Sequence, residues 1–171
     1  HKIFRLGDSQ ISKHNYFINT LEESGFKVGC ISPMNIKNNL KKPSYFISDP
    51  WINTSNDDSF LSKVSSKLIN KVVNNNAANK INLKDSLTLI FLILAFVRYL
   101  NYPKLIYILF FSFKRKWMRA AFLDFLINEI HVNFYKRKKP NFSSVFFNAG
   151  AHVQHHYLFL SYLNKKKTTF N

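Results

Sequence analysis

The sequence is poor in cysteine, glycine and acidic residues, and each shortage excludes a class of protein. Cys30 is the single cysteine, so neither an internal disulfide nor a cysteine-rich zinc cluster can form. The four glycines make no phosphate-binding loop, and no internal repeat or coiled-coil heptad is present. Nine acidic residues stand against 25 Lys and Arg, a formal net charge of +16. This charge favours anionic partners, although an AT-rich coding genome also produces such a composition.

Long hydrophobic runs are missing as well. Residues 87–97 are almost wholly apolar but number only eleven, and the run from Pro103 to Phe113 ends at a basic triplet. Crossing a bilayer takes about 20 apolar residues in succession. We therefore expect a buried hairpin of two helices that begin near Asn82 and Pro103, because Asn and Pro are typical of helix starts.

The length of the chain fits one ordinary domain. Its 171 residues suffice for a sizeable core without disulfides or a structural metal. The chain begins at His1 without a signal-type segment, and residues 3–6 resemble the interior of a domain. We expect a piece of a longer protein.

The pattern of the first part of the chain predicts half of an α/β unit. Apolar residues at helical spacing predict a helix over residues 12–24, with Gly25 as the left-handed residue that ends it. The short apolar run Phe26–Ile31 predicts a buried strand that delivers its end into a loop at Ser32. Helix, glycine and strand follow one another as in a parallel α/β sheet.

The middle of the chain is predicted to be a loop followed by helices. Residues 34–59 read as a structured loop with a possible short strand at Tyr45–Ile47. An amphipathic helix with a solvated charged face follows. Its apolar residues are Leu61, Val64, Leu68 and Val72. A later helical pattern runs from about Trp117 to Tyr135, before Pro140.

The last predicted strand leads into a cluster of histidines. Ser143–Phe147 reads as a buried strand with Asn148 at its carboxyl end, and a helix is expected to begin near His152. In doubly wound α/β sheets, ligands bind beyond the carboxyl ends of the strands. The histidine cluster therefore falls where a ligand site is expected.

Imidazole and amide side chains in this segment are candidate metal ligands. On a helix, His152 and His156 share one face and could hold one ion, whereas His155 points about 100° away from His156. Asn148 offers a neutral carbonyl oxygen, a poorer zinc ligand than a carboxylate. The alternatives are histidines that satisfy local hydrogen bonds and an Asn148 that caps a turn or helix.

The order of these elements and the segment from Asn148 to His152 resemble one known family. Glu22 to Gly29 is similar to the helix-to-strand passage, and Asn148-Ala-Gly-Ala-His152 to the Pro-Asp-x-x-Gly-His segment, of the type I phosphodiesterase/nucleotide pyrophosphatase branch of the alkaline phosphatase superfamily. The likeness covers most of the chain. It implies an α/β fold, a fragment of an alkaline phosphatase-like sandwich over residues 1–171, with a mostly helical insert at 58–139.

The resemblance also implies a chemistry. Members hydrolyse phosphate or sulfate esters with a Thr or Ser nucleophile held on one of two divalent ions, usually zinc. Carried over, His152 is a ligand of one ion, and Asn148 stands where that ion has a carboxylate ligand. His156 shares a helix face with His152 and is the third candidate. The family's nucleophile and remaining ligands lie outside this chain.

Two alternative hypotheses of function stay open. A non-catalytic protein could bind anionic membrane surfaces or nucleic acid through three basic runs. These runs are Lys114–Lys116, Lys136–Lys139 and Lys165–Lys167. The aromatic residues do not alternate with the basic ones, which argues against nucleic acid. A degenerate family member without activity is the second alternative, since Asn148 replaces the expected acid.

Overall fold

The computed structural model describes residues 16–74, 82–115, 118–151, 153 and 154. Seven of its elements form in the order α1 (Phe17–Glu23), β1 (Val28–Ile31), β2 (Tyr45–Ile47), α2 (Phe60–Asn74), α3 (Leu83–Phe96), α4 (Tyr102–Lys114) and α5 (Met118–Lys138). A 3-10 turn at Tyr99–Asn101 precedes α4, and β3 (Phe142–Val145) follows α5. The fold class is therefore α/β, as predicted.

A three-stranded parallel sheet organises the first half of the fold. Its strand order is β2-β1-β3, and β1 pairs in parallel with both neighbours. Cys30 lies opposite Phe46 on one side and Ser144 on the other. Because all three strands run the same way, their carboxyl ends lie along one edge.

The chain divides into two compact units. One comprises the described residues within 16–97 and 128–146, and the other comprises those within 98–127 and 147–154. The sheet, α1, α2 and α3 belong to the first unit, and α4 belongs to the second. Residues of α5 contribute to both.

The first helix ends as the glycine predicts. Gly25 has a φ of 86°, and its N–H donates to Glu22 while the N–H of Phe26 donates to Leu21. These two bonds form the Schellman motif, in which a left-handed residue closes the last turn. The strand that follows is buried along its whole length but begins at Val28, two residues later than expected.

Each face of the sheet has its own core. On one face, Val28, Cys30 and Phe46 pack against Ile18 of α1. On the other face, the Tyr45 ring stacks on Phe134 of α5 at 5.3 Å between centroids. A Cβ on Gly29 would overlap the Tyr45 ring, so β1 requires glycine at this position.

Helix α2 is amphipathic with exposed Lys63 and Lys67, as predicted, but its buried face is not made of the four apolar residues alone. Leu68 is buried, whereas Leu61, Val64 and Val72 are only half-buried. The buried positions also include Ser62, Ser65, Ser66 and Ile69. Small serines let the helix backbone lie close to β2, which explains why hydrophobic spacing did not reveal this face.

Helices α3 and α4 form where predicted, but their outward faces are not buried. Asn82 and Asp85 make a capping box at the start of α3, and Pro103 occupies the first turn of α4. Large apolar side chains on both helices remain exposed, so the prediction of a buried hairpin is wrong for those faces. Within the described residues, no helix is long and apolar enough to cross a membrane.

The last strand and the segment after it also differ from expectation. β3 begins and ends earlier than predicted, at Phe142 and Val145, and it is half-buried. Among the described residues β3 pairs with β1 alone, as β2 does, but β2 is buried along its whole length. Helical conformation begins at Ala149, three residues before His152.

Candidate functional site

Polar residues follow the carboxyl ends of β1 and β2 within the first unit. Ser32 comes directly after β1, and its N–H donates to the Ile47 carbonyl at 2.8 Å. Asp49 comes two residues after β2. Ser32 and Asp49 are 4% and 2% exposed, so the chain buries polar groups where parallel sheets usually bind ligands.

Ser32 combines two uncommon features. Its φ of 50° lies in the left-handed region, which a residue with a Cβ enters only at a cost. Its buried hydroxyl has no hydrogen-bond partner among the residues that the structure describes. Buried hydroxyls usually have a partner, so Ser32 is a candidate ligand contact that the sequence marked only by its position after a strand.

The Asp49 carboxylate holds two loops together. Oδ2 accepts the N–H of Asn35 at 2.9 Å, and Oδ1 accepts the N–H of Trp51 at 3.0 Å. The first bond ties the loop after β1 to the loop after β2. Since each oxygen already accepts a backbone N–H, the role that the structure gives Asp49 is to order these loops.

A second carboxylate, Asp57, orders the same region. It accepts the N–H of Phe46 in β2 at 2.5 Å and the Ser62 hydroxyl in α2 at 2.7 Å. The Asn56 amide oxygen accepts the N–H of Ser48 at 2.8 Å. The predicted structured loop is thus fixed by side chains that accept backbone N–H groups.

In the second unit, Asp124 lies beside the first predicted ligand. Its Oδ1 accepts the N–H of Asn148 at 3.1 Å, and its Oδ2 accepts the N–H of Ala149 at 2.6 Å. A carboxylate at these N–H groups satisfies donors that a helix start leaves free. Sequence reasoning missed Asp124, because 24 residues separate it from Asn148.

The other two predicted ligands, His152 and His156, lie outside the described residues. In the part of the chain that the structure describes, no three His, Cys, Asp or Glu residues come together as a metal-binding group. The described side chains around Asn148 offer one neutral amide and a carboxylate whose two oxygens accept N–H groups. A zinc site needs three or four nitrogen, sulfur or carboxylate ligands, so these residues alone do not fit one.

A serine–histidine pair lies within the first unit. The His131 Nε2 of α5 is 3.2 Å from the Ser143 Oγ of β3. Burial lowers the pKa of His131 below its usual 6.5. The His131 ring also meets Tyr45 edge to face, at 6.3 Å between centroids. No sequence pattern indicated this pair, whose evident effect is to fasten the edge strand to α5.

A cleft of about 700 Å³ opens at the opposite edge of the sheet. Its basic lining consists of Lys27, Lys41, Lys42 and Lys138. Glu22 accepts the N–H groups of Lys41 and Lys42, both at 2.7 Å, and so fixes one wall. This cleft lies before the strands begin, away from the edge where the sequence predicts ligand binding.

Comparison with known proteins adds no relative. No protein-family model, curated protein or solved structure matches this chain. The functional reading therefore depends on the chain's own residues.

Proposed function

We propose that this chain is part of a metal-dependent hydrolase of phosphate or sulfate esters, similar to phosphodiesterases and nucleotide pyrophosphatases of the alkaline phosphatase superfamily. The observation that carries the proposal is that two buried polar residues of the first unit, Ser32 and Asp49, follow the carboxyl ends of the parallel strands β1 and β2. Carboxyl ends of parallel strands are where α/β enzymes place their ligands. The alkaline phosphatase-like sandwich is the fold that this proposal expects for the complete protein.

In this proposal the chain contributes part of the site, and the nucleophile lies outside it. His152 supplies an imidazole to one ion, which the resemblance to the family implies is zinc, and Asn148 and His156 are the further candidate ligands. Two ions in such enzymes stabilise the attacking and departing oxygens of the ester. The role of this chain's own residues is to hold the segment from Asn148 to His152 in place, which the Asp124 bonds support.

Zinc binding tests the metal part of the proposal. Titration calorimetry of the 171-residue chain should detect zinc binding, and His152→Ala should weaken it by at least about tenfold, since it removes a direct ligand. His14→Ala removes a histidine outside the motif and serves as the matched control. Equal zinc affinity in wild type and His152→Ala contradicts the proposal.

Asn148→Asp distinguishes an active lineage from a degenerate one. A carboxylate binds zinc better than an amide does, so this variant should raise the affinity in either case. If wild type binds no zinc and Asn148→Asp creates binding, the degenerate alternative is supported. Hydrolysis of bis(4-nitrophenyl) phosphate and 4-nitrophenyl sulfate by the full-length protein then tests the activity, and absence of both reactions rejects the proposed ester hydrolysis.

A further inference from the structure

Helix α4 carries two apolar faces, and only one of them is buried. Leu105 and Ile108 on one side of the helix are buried, at 4% and 7% exposed. The opposite side of the helix presents large apolar side chains to solvent. They are Ile106 (63% exposed), Tyr107 (59%), Phe110 (57%) and Phe113 (83%), named here the α4 outer face.

The spacing of these residues shows that the outer face is continuous. Positions 106, 110 and 113 follow one another at four and three residues, and position 107 lies one turn before 110. Tyr99 and Leu100, in the turn before the helix, are also exposed, at 78% and 73%. Contiguous apolar surface of this kind marks an interaction site in soluble proteins.

Basic side chains stand at the end of the outer face. The Lys114 ammonium lies 5.4 Å from the ring centroid of Phe110 in the outer face. The Arg115 guanidinium lies 5.8 Å from the ring centroid of Phe111, which itself lies 4.5 Å from the ring of Tyr107 in the outer face. Cation–π contacts of this length hold the charges next to the aromatic residues. Apolar and positive groups therefore form one surface.

Acidic residues are absent from this part of the sequence. Between Asp85 and Asp124 the sequence has six Lys or Arg and no Asp or Glu. Contact between two copies through one shared face would bring like charges together, because a twofold interface pairs a patch with itself. The charge thus favours an anionic partner over a second copy of the chain.

We propose that the α4 outer face docks onto an anionic lipid surface. The aromatic and aliphatic side chains enter the boundary between headgroups and acyl chains, and Lys114 and Arg115 contact lipid phosphates or carboxylates. An exposed apolar helix face with Lys and Arg beside it can lie in the plane of the membrane interface without crossing it; the other side of α4 is buried by the protein. Tyr99 and Tyr107 suit the interface because their rings are apolar and their hydroxyls are polar.

This proposal is independent of ester hydrolysis. It would bring a hydrolase close to a membrane, but the lipid contact itself uses neither Asn148 nor His152. Lipid binding and zinc binding can therefore fail separately.

Vesicle flotation tests the proposal on the 171-residue chain. Vesicles of phosphatidylcholine with 30% phosphatidylserine should carry the protein upward, whereas pure phosphatidylcholine vesicles should carry much less. Phe110→Ser with Phe113→Ser should lower the partition coefficient by about tenfold or more, since two large apolar groups no longer insert. Met34→Ser, which changes an apolar residue 60% exposed in the first unit, is the matched control.

A charge variant tests the second part of the surface. Lys114→Gln with Arg115→Gln should lower binding to anionic vesicles by about fivefold for each charge removed. Lys41→Gln with Lys67→Gln removes two exposed charges elsewhere and should have a smaller effect. Far-UV circular dichroism of every variant confirms that the helices are retained.

Three results would overturn the proposal. The first is equal flotation with neutral and anionic vesicles, or none with either. The second is flotation unchanged by both the apolar and the charge variants. The third is a dimer in solution that Phe110→Ser with Phe113→Ser converts to monomer, which would assign the outer face to a second copy.

Discussion

The ring of Tyr45 in β2 lies over Gly29 in β1, in the space that a Cβ on residue 29 would occupy. Gly29 faces Tyr45 directly in the parallel register. The same ring stacks on Phe134, so Gly29 lets the sheet and α5 approach each other. Glycine here serves close packing and not an unusual φ, in contrast to Gly25.

Gly29→Ala should therefore destabilise the fold. The added methyl group must displace a buried aromatic ring, and such overpacking usually costs about 1–3 kcal/mol. Urea unfolding followed by circular dichroism measures the change. Gly150→Ala is the control, because a Cβ at position 150 meets no atom within 4 Å. Equal unfolding midpoints for the two variants would contradict the packing account.

Cys30 should react with thiol reagents only when the fold opens. The side chain is fully buried in the centre of the sheet, and burial raises the pKa of its thiol to about 12. The thiolate is the reactive form, so both access and ionisation are suppressed. Labelling with a disulfide reagent at pH 8 should be slow in buffer and rapid in guanidinium. Rapid labelling of the native protein would show that β1 is accessible.

Local signals in the sequence accounted for the ends of several elements. Gly25 and Asn82 end and begin helices through bonds to neighbouring residues, so the sequence alone predicted both, although it did not single out Asp85 as the partner of Asn82. The contact between Asp124 and Asn148 depends on the path of the whole chain, and no local pattern encodes it. The same holds for the pairing of β1 with β3.

Hydrophobic pattern also overstated burial. Helices α3 and α4 are apolar on several sides, and a two-sided apolar sequence predicts burial on both sides. The fold covers one side only. On α4, for example, Leu105 is buried while its neighbour Ile106 is exposed. Which side is covered depends on tertiary packing. The buried serines of α2 are the converse case, since Ser62 and Ser66 are hidden by small size and hydrogen bonds.

Asp49→Ala should weaken the loops at the carboxyl edge. It removes the acceptor for the N–H groups of Asn35 and Trp51, and we expect a loss of about 1–3 kcal/mol in the free energy of unfolding. Asp58→Ala removes a carboxylate that is fully exposed beside Lys63, and it should change stability by less than about 1 kcal/mol. Faster proteolysis within residues 33–59 should accompany only the Asp49 variant. Matching urea midpoints for the two variants would refute this role.

His131 should make the fold less stable as the pH falls below about 6.5. Burial lowers its folded pKa, so between that value and 6.5 the unfolded chain binds a proton that the folded chain does not. Above pH 6.5 both states are neutral and the effect vanishes. His131→Gln keeps a polar partner for Ser143 and should reduce the loss of stability between pH 7.5 and 5.5. If His131→Gln loses as much stability as the wild type between these two pH values, other groups cause the pH dependence.

Asp124→Ala should loosen the start of the segment that leads to His152. The variant removes the acceptor for the N–H groups of Asn148 and Ala149, and a lost helix cap typically costs about 1 kcal/mol. Hydrogen exchange at these two amides should therefore accelerate by about fivefold, while exchange in β1 stays the same. Asp124→Asn keeps one acceptor and should give an intermediate rate. If the carboxylate also positions the proposed ligands, zinc affinity should decline in the same order, from wild type through Asp124→Asn to Asp124→Ala. Faster exchange with unchanged zinc affinity would limit Asp124 to capping the helix.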